Sequence, residues 1–302
     1  MPPAPRGSLG LPIALIIGSC LSLQFGAALA VQLFPTLGSW GLTSLRVTLA
    51  AAALLIVARP ALHRWTRDQW LTVAGYGLAL GAMNGLFYAS LEHLPLGPAV
   101  AIEFLGPLLL AAALSRRGSD IAWVAVALAA MALFAVDGML GSDPLDPFGV
   151  FLVLCAAACW ALYIVLGSRV SRSVPGLGGL SVGLAVAAVA LIPFGVPAVG
   201  TVISDPSLIP LVIGTVLLAS VVPYSFELVA LRRLPQRVFG VLLALEPVFA
   251  ALFGWLLLSQ ALSPLRVIAI ALVVAASIGT TLGARRAQPV EEPPVITSEI
   301  RL

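Results

Sequence analysis

Ten apolar stretches, each close to a bilayer's thickness in helical length, follow one another along this chain with little but Gly, Pro and scattered charge between them. A spanning helix needs about 20 mostly apolar residues. The chain is therefore read as an all-α integral membrane protein of ten transmembrane helices. Composition enters here as a check: 60% of residues are hydrophobic, 10% are charged and the mean hydropathy is +1.08, too apolar and too poorly charged for a soluble domain. Ten spans use nearly all of the 302 residues, so no soluble domain is left over.

The spans are expected at residues 11–34, 37–58, 69–91, 96–114 and 121–136, then at 148–166, 177–199, 208–231, 238–258 and 265–282. Between the two sets, residues 137–147 are rich in Asp, Pro and Gly and break the apolar pattern more completely than any other internal stretch. Leu91, Leu94, Pro95 and Pro107 recur at one constant offset as Leu231, Leu234, Pro235 and Pro247. The chain thus divides into a first five-helix repeat (11–136), an outer linker (137–147), a second five-helix repeat (148–282) and a tail (283–302). The tail is rich in Pro and Glu and predicted to be disordered. Five is odd, so the second copy enters the membrane from the opposite side. Inverted repeats of this kind serve secondary transporters, whose halves rock about a site at the midplane.

Every one of the 16 basic side chains is an Arg. With the amino terminus inside, all of them face the cytoplasm except Arg266, which falls outside, and Arg46, which lies within a span. Excess Arg marks the cytoplasmic loops, so both termini are expected inside, and the chain is placed in the plasma (inner) membrane. Trp65, Trp70 and Trp123 near inner ends, and Trp40 and Trp255 near outer ends, fit an interfacial belt. Arg6 and the Ala28-Leu29-Ala30 triplet imitate a secretory signal, but the apolar run between them extends to Phe34, too long for a signal core. Cys20, Cys155 and Cys159 lie in apolar runs and read as packing residues. His63 and His93 fall in loops, and neither has companions for a metal or catalytic site.

Four ionisable groups lie within spans: Arg46, Glu103, Glu227 and Glu246. Each costs about 2.5–3.5 kcal/mol at a helix centre on insertion scales, so they should face a cavity or one another. Either they bind something or they form a structural pair, Arg46 with one Glu. Pro107 has no N–H to offer the carbonyl of Glu103, which leaves that oxygen free beside the carboxylate. Pro247 does the same for Leu243 next to Glu246, and Pro223 for Ala219. Such helix breaks suit a polar site at mid-membrane, although Pro also kinks spanning helices for packing alone. On the third span Gly77, Gly81, Asn84 and Tyr88 share a face, and the glycines, with Gly85, form small-xxx-small steps. On the eighth, Ser220, Tyr224 and Glu227 share a face. These polar groups contact a ligand or bond between helices. Gln24, Trp160 and Tyr163, on the first span of each half, are further cavity-lining candidates. The substrate-binding set is thus Glu103, Asn84, Tyr88, Arg46, Tyr224, Glu227, Glu246, Gln24, Trp160 and Tyr163, with Glu103, Glu227 and Glu246 as proton-coupling candidates and Pro107, Pro223 and Pro247 as helix breaks. GxxxxGK[ST], HExxH and GxSxG are absent from the sequence. No enzyme, catalytic residue, metal, cofactor or nucleic-acid partner is expected.

The segments LQFGAAL (23–29), SLRVTLA (44–50), GLALGAMNGLFYASLEHLPLGPAVAIEFLGPL (77–108) and VVPYSFELVALRRLPQRVFGVLLALEPVFAALFG (221–254) resemble the EamA-type drug/metabolite transporters, and AIEFLGP with VPYSFE narrows this to a threonine/homoserine exporter-like group. The resemblance covers residues 11–283. It implies ten helices around a central cavity and export of small amino acids or related metabolites, driven by the proton gradient. One departure is that many such repeats carry Gly-Glu before the last span, where this chain has Ser259-Gln260.

The expected function is a proton-linked exporter of small amino acids. The carboxylates would exchange a proton, Arg46 would hold a substrate carboxylate, and Asn84, Tyr88 and Tyr224 would meet its amino or hydroxyl groups; Glu103 could instead bind the ammonium with no proton moving. A permease for another small metabolite or drug, and a scaffold or sensor without flux, stay open as alternatives. The expected partners are the small-molecule substrate, the lipid bilayer and protons. Monomer and homodimer, and export and import, stay open as alternatives.

Overall fold

The computed structural model describes residues 10–114, 118–140, 144–174, 177–231 and 236–284. Among them every regular element is helical: α1 (Gly10–Leu37), α2 (Ser39–Ala58), α3 (Arg67–Ser90), α4 (Leu96–Glu103), α5 (Leu105–Leu114), α6 (Gly118–Leu140), α7 (Pro147–Ser173), α8 (Gly178–Ser204), α9 (Ile209–Val216), α10 (Val222–Leu231), α11 (Gln236–Leu243), α12 (Glu246–Leu258) and α13 (Pro264–Ala284). Short 3-10 turns cover Leu62–Arg64 and Pro206–Leu208, and a π turn, Leu217–Val221, joins α9 to α10.

Among the described residues, seven stretches are long and apolar enough to cross a membrane: Gly10–Leu37, Ser39–Ala58, Leu96–Leu114, Pro147–Ser173, Gly178–Ser204, Pro206–Glu227 and Val241–Leu258. Two apolar helices are shorter, Ile121–Phe134 and Pro264–Gly279. The remaining expected span, α3, is diluted by Gln69, Tyr76, Asn84, Tyr88 and several glycines. The expected tail, 283–302, begins within α13 and from residue 285 on lies outside the described residues, as do the loop arginines Arg6, Arg116, Arg117, Arg232 and Arg233.

Side-chain size decides which helices meet. α2 lies along α8, α3 along α7 and α8, α6 along α13, α1 along α9, the π turn and α10, and α4 against α12. At these seams glycine lets backbones touch: a methyl on Gly77 would strike the Gly183 carbonyl, one on Gly106 the Ala157 carbonyl, and one on Gly97 the backbone of Ala251. This is how spanning helices associate when no hydrophobic drive separates helix from lipid. Large apolar side chains such as Ile56, Val57, Ile121, Val196 and Ile203 are left on the outside, where lipid would cover them.

Several helix starts are satisfied by side chains. Thr66 and Gln69 form a capping box on α3. Glu92 accepts from Ser39 N–H at the start of α2, at 2.9 Å. Asp146 caps α7 through Phe148 N–H at 2.8 Å and lies 2.7 Å from His93 Nδ1. Those bonds, the backbone one foremost, hold the Asp146 carboxyl below its ordinary range. His93 therefore has a partner in the loops, although not one that makes a metal or catalytic centre.

Two expectations about the outer face change in detail. α6 runs on to Leu140, past the point where the linker was expected to begin, and Asp137 is buried rather than solvated. Its carboxylate accepts from Arg266 Nε at 2.7 Å and from the Ser263 hydroxyl, tying α6 to the start of α13. Arg266 is likewise buried, so its charge answers Asp137 instead of standing free at the outer surface.

Candidate functional site

Three interruptions of helical hydrogen bonding converge on the middle of the bundle. At the first, α4 ends at Glu103 and α5 begins at Leu105; Pro107 has no N–H for the Glu103 carbonyl, and the ladder resumes with Leu108 N–H to Phe104 O at 3.3 Å. At the second, α11 ends at Leu243 and α12 begins with Glu246-Pro247, which sets the Glu246 carboxylate at a helix N-terminus, where negative charge is favoured. At the third, the π turn precedes Pro223, and the Ala219 carbonyl that this proline cannot serve accepts from Arg46 Nη1 at 3.2 Å.

These breaks border a cavity of about 500 Å³, within the range of roughly 300–1,000 Å³ usual for small-molecule sites. Gln24, Arg46, Asn84, Tyr88, Glu103, Pro107, Trp160, Tyr163, Pro223, Glu227 and Glu246 all line it. Of the remaining expected residues, Pro247 is buried in the first turn of α12 and is not part of the lining, and Tyr224 is on α10 with a side chain outside what the structure describes. Apolar side chains complete the wall, among them Met83, Phe87, Phe104 and Phe239. Trp160 stands edge-on to Phe104, with ring centres 5.0 Å apart, and Tyr163 stacks on Tyr76 at 4.9 Å, fixing α7 against its neighbours.

Arg46 is 4% exposed and heavily used by the protein itself. Nη1 donates to Ala219 O and, at 3.5 Å, to Ser220 Oγ; Nη2 donates to Asn84 Oδ1; and the guanidinium lies 4.6 Å from the centre of the Tyr88 ring. It joins α2, α3 and the π turn. Among the described residues no carboxylate forms an ion pair with it, so the alternative of an Arg46–Glu lock does not describe this arrangement.

The carboxylates are held differently. Glu227 accepts from Ser19 Oγ at 2.7 Å, and Glu246 from Gln24 Nε2 at 3.4 Å. Glu103 has no hydrogen-bond partner among the described residues. Glu246 is within electrostatic reach of both Glu227 and Glu103, and Glu103 within reach of Arg46. Contacts along α1 give the order: Ser19 meets Glu227, Gln24 meets Glu246, and Gly26 packs on Ala219, the residue that Arg46 holds. The charges therefore run as a ladder, Arg46 first, Glu103 and Glu246 next, Glu227 last.

Buried polar atoms are paired in the great majority of cases. Here Gln24 Oε1, Arg46 Nε and Tyr88 Oη are buried without a protein partner, and all three residues line the cavity. Sorted by chemistry, Arg46 Nε and Tyr88 Oη donate, whereas Gln24 Oε1 and the Glu103 carboxylate accept.

Sequence reasoning missed Ser19, because a serine within an apolar helix carries no signal of its own. It also missed what Gln260 does: at 2.9 Å its Oε1 accepts from Leu96 N–H, capping α4. Among the described residues no group of His, Cys, Asp and Glu is fit to hold a metal.

Comparison with known proteins places this geometry. Residues 147–282 match the EamA-like transporter family. Over 282 residues the chain is 39% identical to the threonine/homoserine exporter RhtA of Escherichia coli (strain K12), covering 93% of this chain and 95% of that one. RhtA of Salmonella typhimurium (strain LT2) matches at the same identity and coverage. A solved crystal structure superposes with a TM-score of 0.58 at 21% identity, over 91% of this chain and 98% of its own, a likeness of fold alone. Identity of that order along nearly the whole of both chains means that this protein, a multi-pass membrane transporter and not an enzyme, belongs to the EamA-like transporter family.

Proposed function

We propose that the chain is a proton-linked exporter of small amino acids of the threonine and homoserine kind. The observation that carries this reading is the set of unpartnered polar groups on residues that line the cavity: donors at Arg46 and at Tyr88, whose ring lies against the guanidinium, and acceptors at Gln24 and Glu103. A zwitterion satisfies both sets. Its carboxylate takes the donors as a charge-assisted pair, its ammonium takes the acceptors, and a side-chain hydroxyl faces Asn84 and the residues of α7. The kinship with threonine/homoserine exporters supports the same substrate class.

Three carboxylates against one guanidinium leave the cavity short of positive charge when all are ionised, and uptake of a proton by Glu103, Glu227 or Glu246 relieves this. Protonation from the outer side weakens the hold on the ammonium and releases substrate there. The rocking unit is a ten-helix assembly of two inverted repeats, 11–136 and 148–282, joined by the outer linker 137–147 and followed by a cytoplasmic tail at 283–302. The packing supports this exchange of halves. The second spans (α2 and α8) pair with each other, as do the last spans (α6 and α13), while α3 on α7 is matched by α1 on α10. The Arg distribution supports a plasma-membrane protein with both termini in the cytoplasm.

Efflux of threonine, homoserine and a panel of other amino acids from loaded cells, with and without an uncoupler, tests the reading. Threonine and homoserine should leave fastest, and the uncoupler should slow them. Flux of neither sinks the substrate assignment, and uncoupler-insensitive flux sinks the proton linkage. In Glu103→Gln and Glu103→Ala, export should fall at least tenfold; wild-type rates would remove Glu103 from the mechanism.

A further inference from the structure

A neutral amino acid uses only one end of the charge ladder. Its carboxylate and ammonium stand on the same carbon, so once the carboxylate reaches Arg46 and Tyr88, the ammonium reaches no further than Glu103 and Gln24. Beyond them the cavity continues to Glu246 and Glu227. Ala219, which marks the level of Arg46, precedes Glu227 by about two helical turns, roughly 12 Å of rise. Glu246 and Glu227 each receive one side-chain hydrogen bond, from Gln24 and Ser19. A carboxylate has about four acceptor positions, so each keeps capacity for a further donor. They sit within reach of each other's charge, and neither is paired with a cation among the described residues.

We propose that Glu227 and Glu246 form a second cation subsite, which takes the side-chain ammonium of a diamino acid held at its other end by Arg46, Tyr88, Glu103 and Gln24. This rests on the amino-acid reading of the cavity and extends its substrate class to amino acids with a terminal amine. An ammonium offers three donors; two carboxylates on helices that both pack on α1, each already held from it, accept them without rearranging the wall. A second ammonium also supplies the positive charge that a neutral substrate leaves to a proton. A dicarboxylic amino acid would set a further anion against the same pair and should be refused.

Counterflow exchange in vesicles carrying the purified protein tests the subsite without a proton gradient. Unlabelled 2,4-diaminobutyrate, ornithine and lysine should each drive uptake of labelled threonine, whereas Nε-acetyl-lysine, of similar shape but without the side-chain charge, should do so at least tenfold less well, and glutamate not at all. In Glu227→Gln the ratio of ornithine-driven to threonine-driven exchange should drop by about tenfold. Exchange with threonine but with none of the diamino acids overturns the subsite and leaves the proposed function standing, as does equal performance of lysine and its acetylated form. Absence of threonine exchange in the wild-type protein overturns the proposed function itself.

Discussion

Arg46 and Tyr88 look alike in the sequence, each a polar residue in an apolar span, yet they stand in different positions energetically. Arg46 serves three acceptors on two other helical segments, and its removal leaves Asn84 Oδ1 and the Ala219 carbonyl unpaired in a buried place. Hydrogen bonds to charged groups contribute about 1.5–3 kcal/mol each, so Arg46→Ala should lower the thermal midpoint of the purified protein and abolish export together. The Tyr88 hydroxyl has no protein partner and is buried, an arrangement that costs about 1–3 kcal/mol. Tyr88→Phe should therefore leave thermal stability unchanged or raised, and lower threonine export about tenfold if that hydroxyl meets the substrate. Export at the wild-type rate would show that it does not. The in-span charges were legible because an ionisable residue among Leu and Ala has no cheap alternative to a cavity. Ser19 was not, since a serine hydroxyl can satisfy itself on its own helix, and only the fold brings it to Glu227.

At the scale of helices, prolines and glycines act in opposite senses. Pro223 withholds an N–H from Ala219 and so leaves an acceptor for Arg46; Pro223→Ala would restore a competing donor and loosen the guanidinium. Gly77 does nothing by itself, but the backbone of α8 lies where its side chain would be. Gly77→Ala should cost about 1–3 kcal/mol, the usual range for overpacking. Gly214→Ala on α9 meets open space and should be neutral, or gain up to about 1 kcal/mol from helix propensity. Thermal unfolding of the two variants in detergent checks the contrast; equal midpoints would mean that the α3–α8 seam yields. Both devices could be read from spacing, as a proline four residues after a carbonyl and glycines one turn apart. The Asp137–Arg266 pair could not. Its members lie 129 residues apart and face each other only because α6 packs along α13, so each by itself looked like a solvated charge at a span end.

For the molecule as a whole, the side of the membrane on which each loop lies decides whether the cavity has all its walls. α3 contributes Leu80, Met83, Asn84, Phe87 and Tyr88 to the lining, yet it is less apolar than the seven stretches that qualify as spans. Its polar side chains face inward, so its composition understates its fitness to cross; a cavity-lining helix gives up hydropathy on the face that lipid never sees. Exposed positions that bracket it make this measurable: His63, in the turn before α3, and His93, after it. In a background with Cys20, Cys155 and Cys159 replaced, cysteine at 93 or at 205 should react with a membrane-impermeant thiol reagent added to intact cells. Cysteine at 63 should react only after permeabilisation. The same labelling at 63 and at 93 would mean that α3 does not cross; Asn84 and Tyr88 would then lose their place at mid-membrane, and Arg46 the partners that hold it there. Labelling at 63 in intact cells with protection at 93 and 205 would reverse the orientation drawn from the arginines and turn the proposed exporter's cavity to face the opposite way.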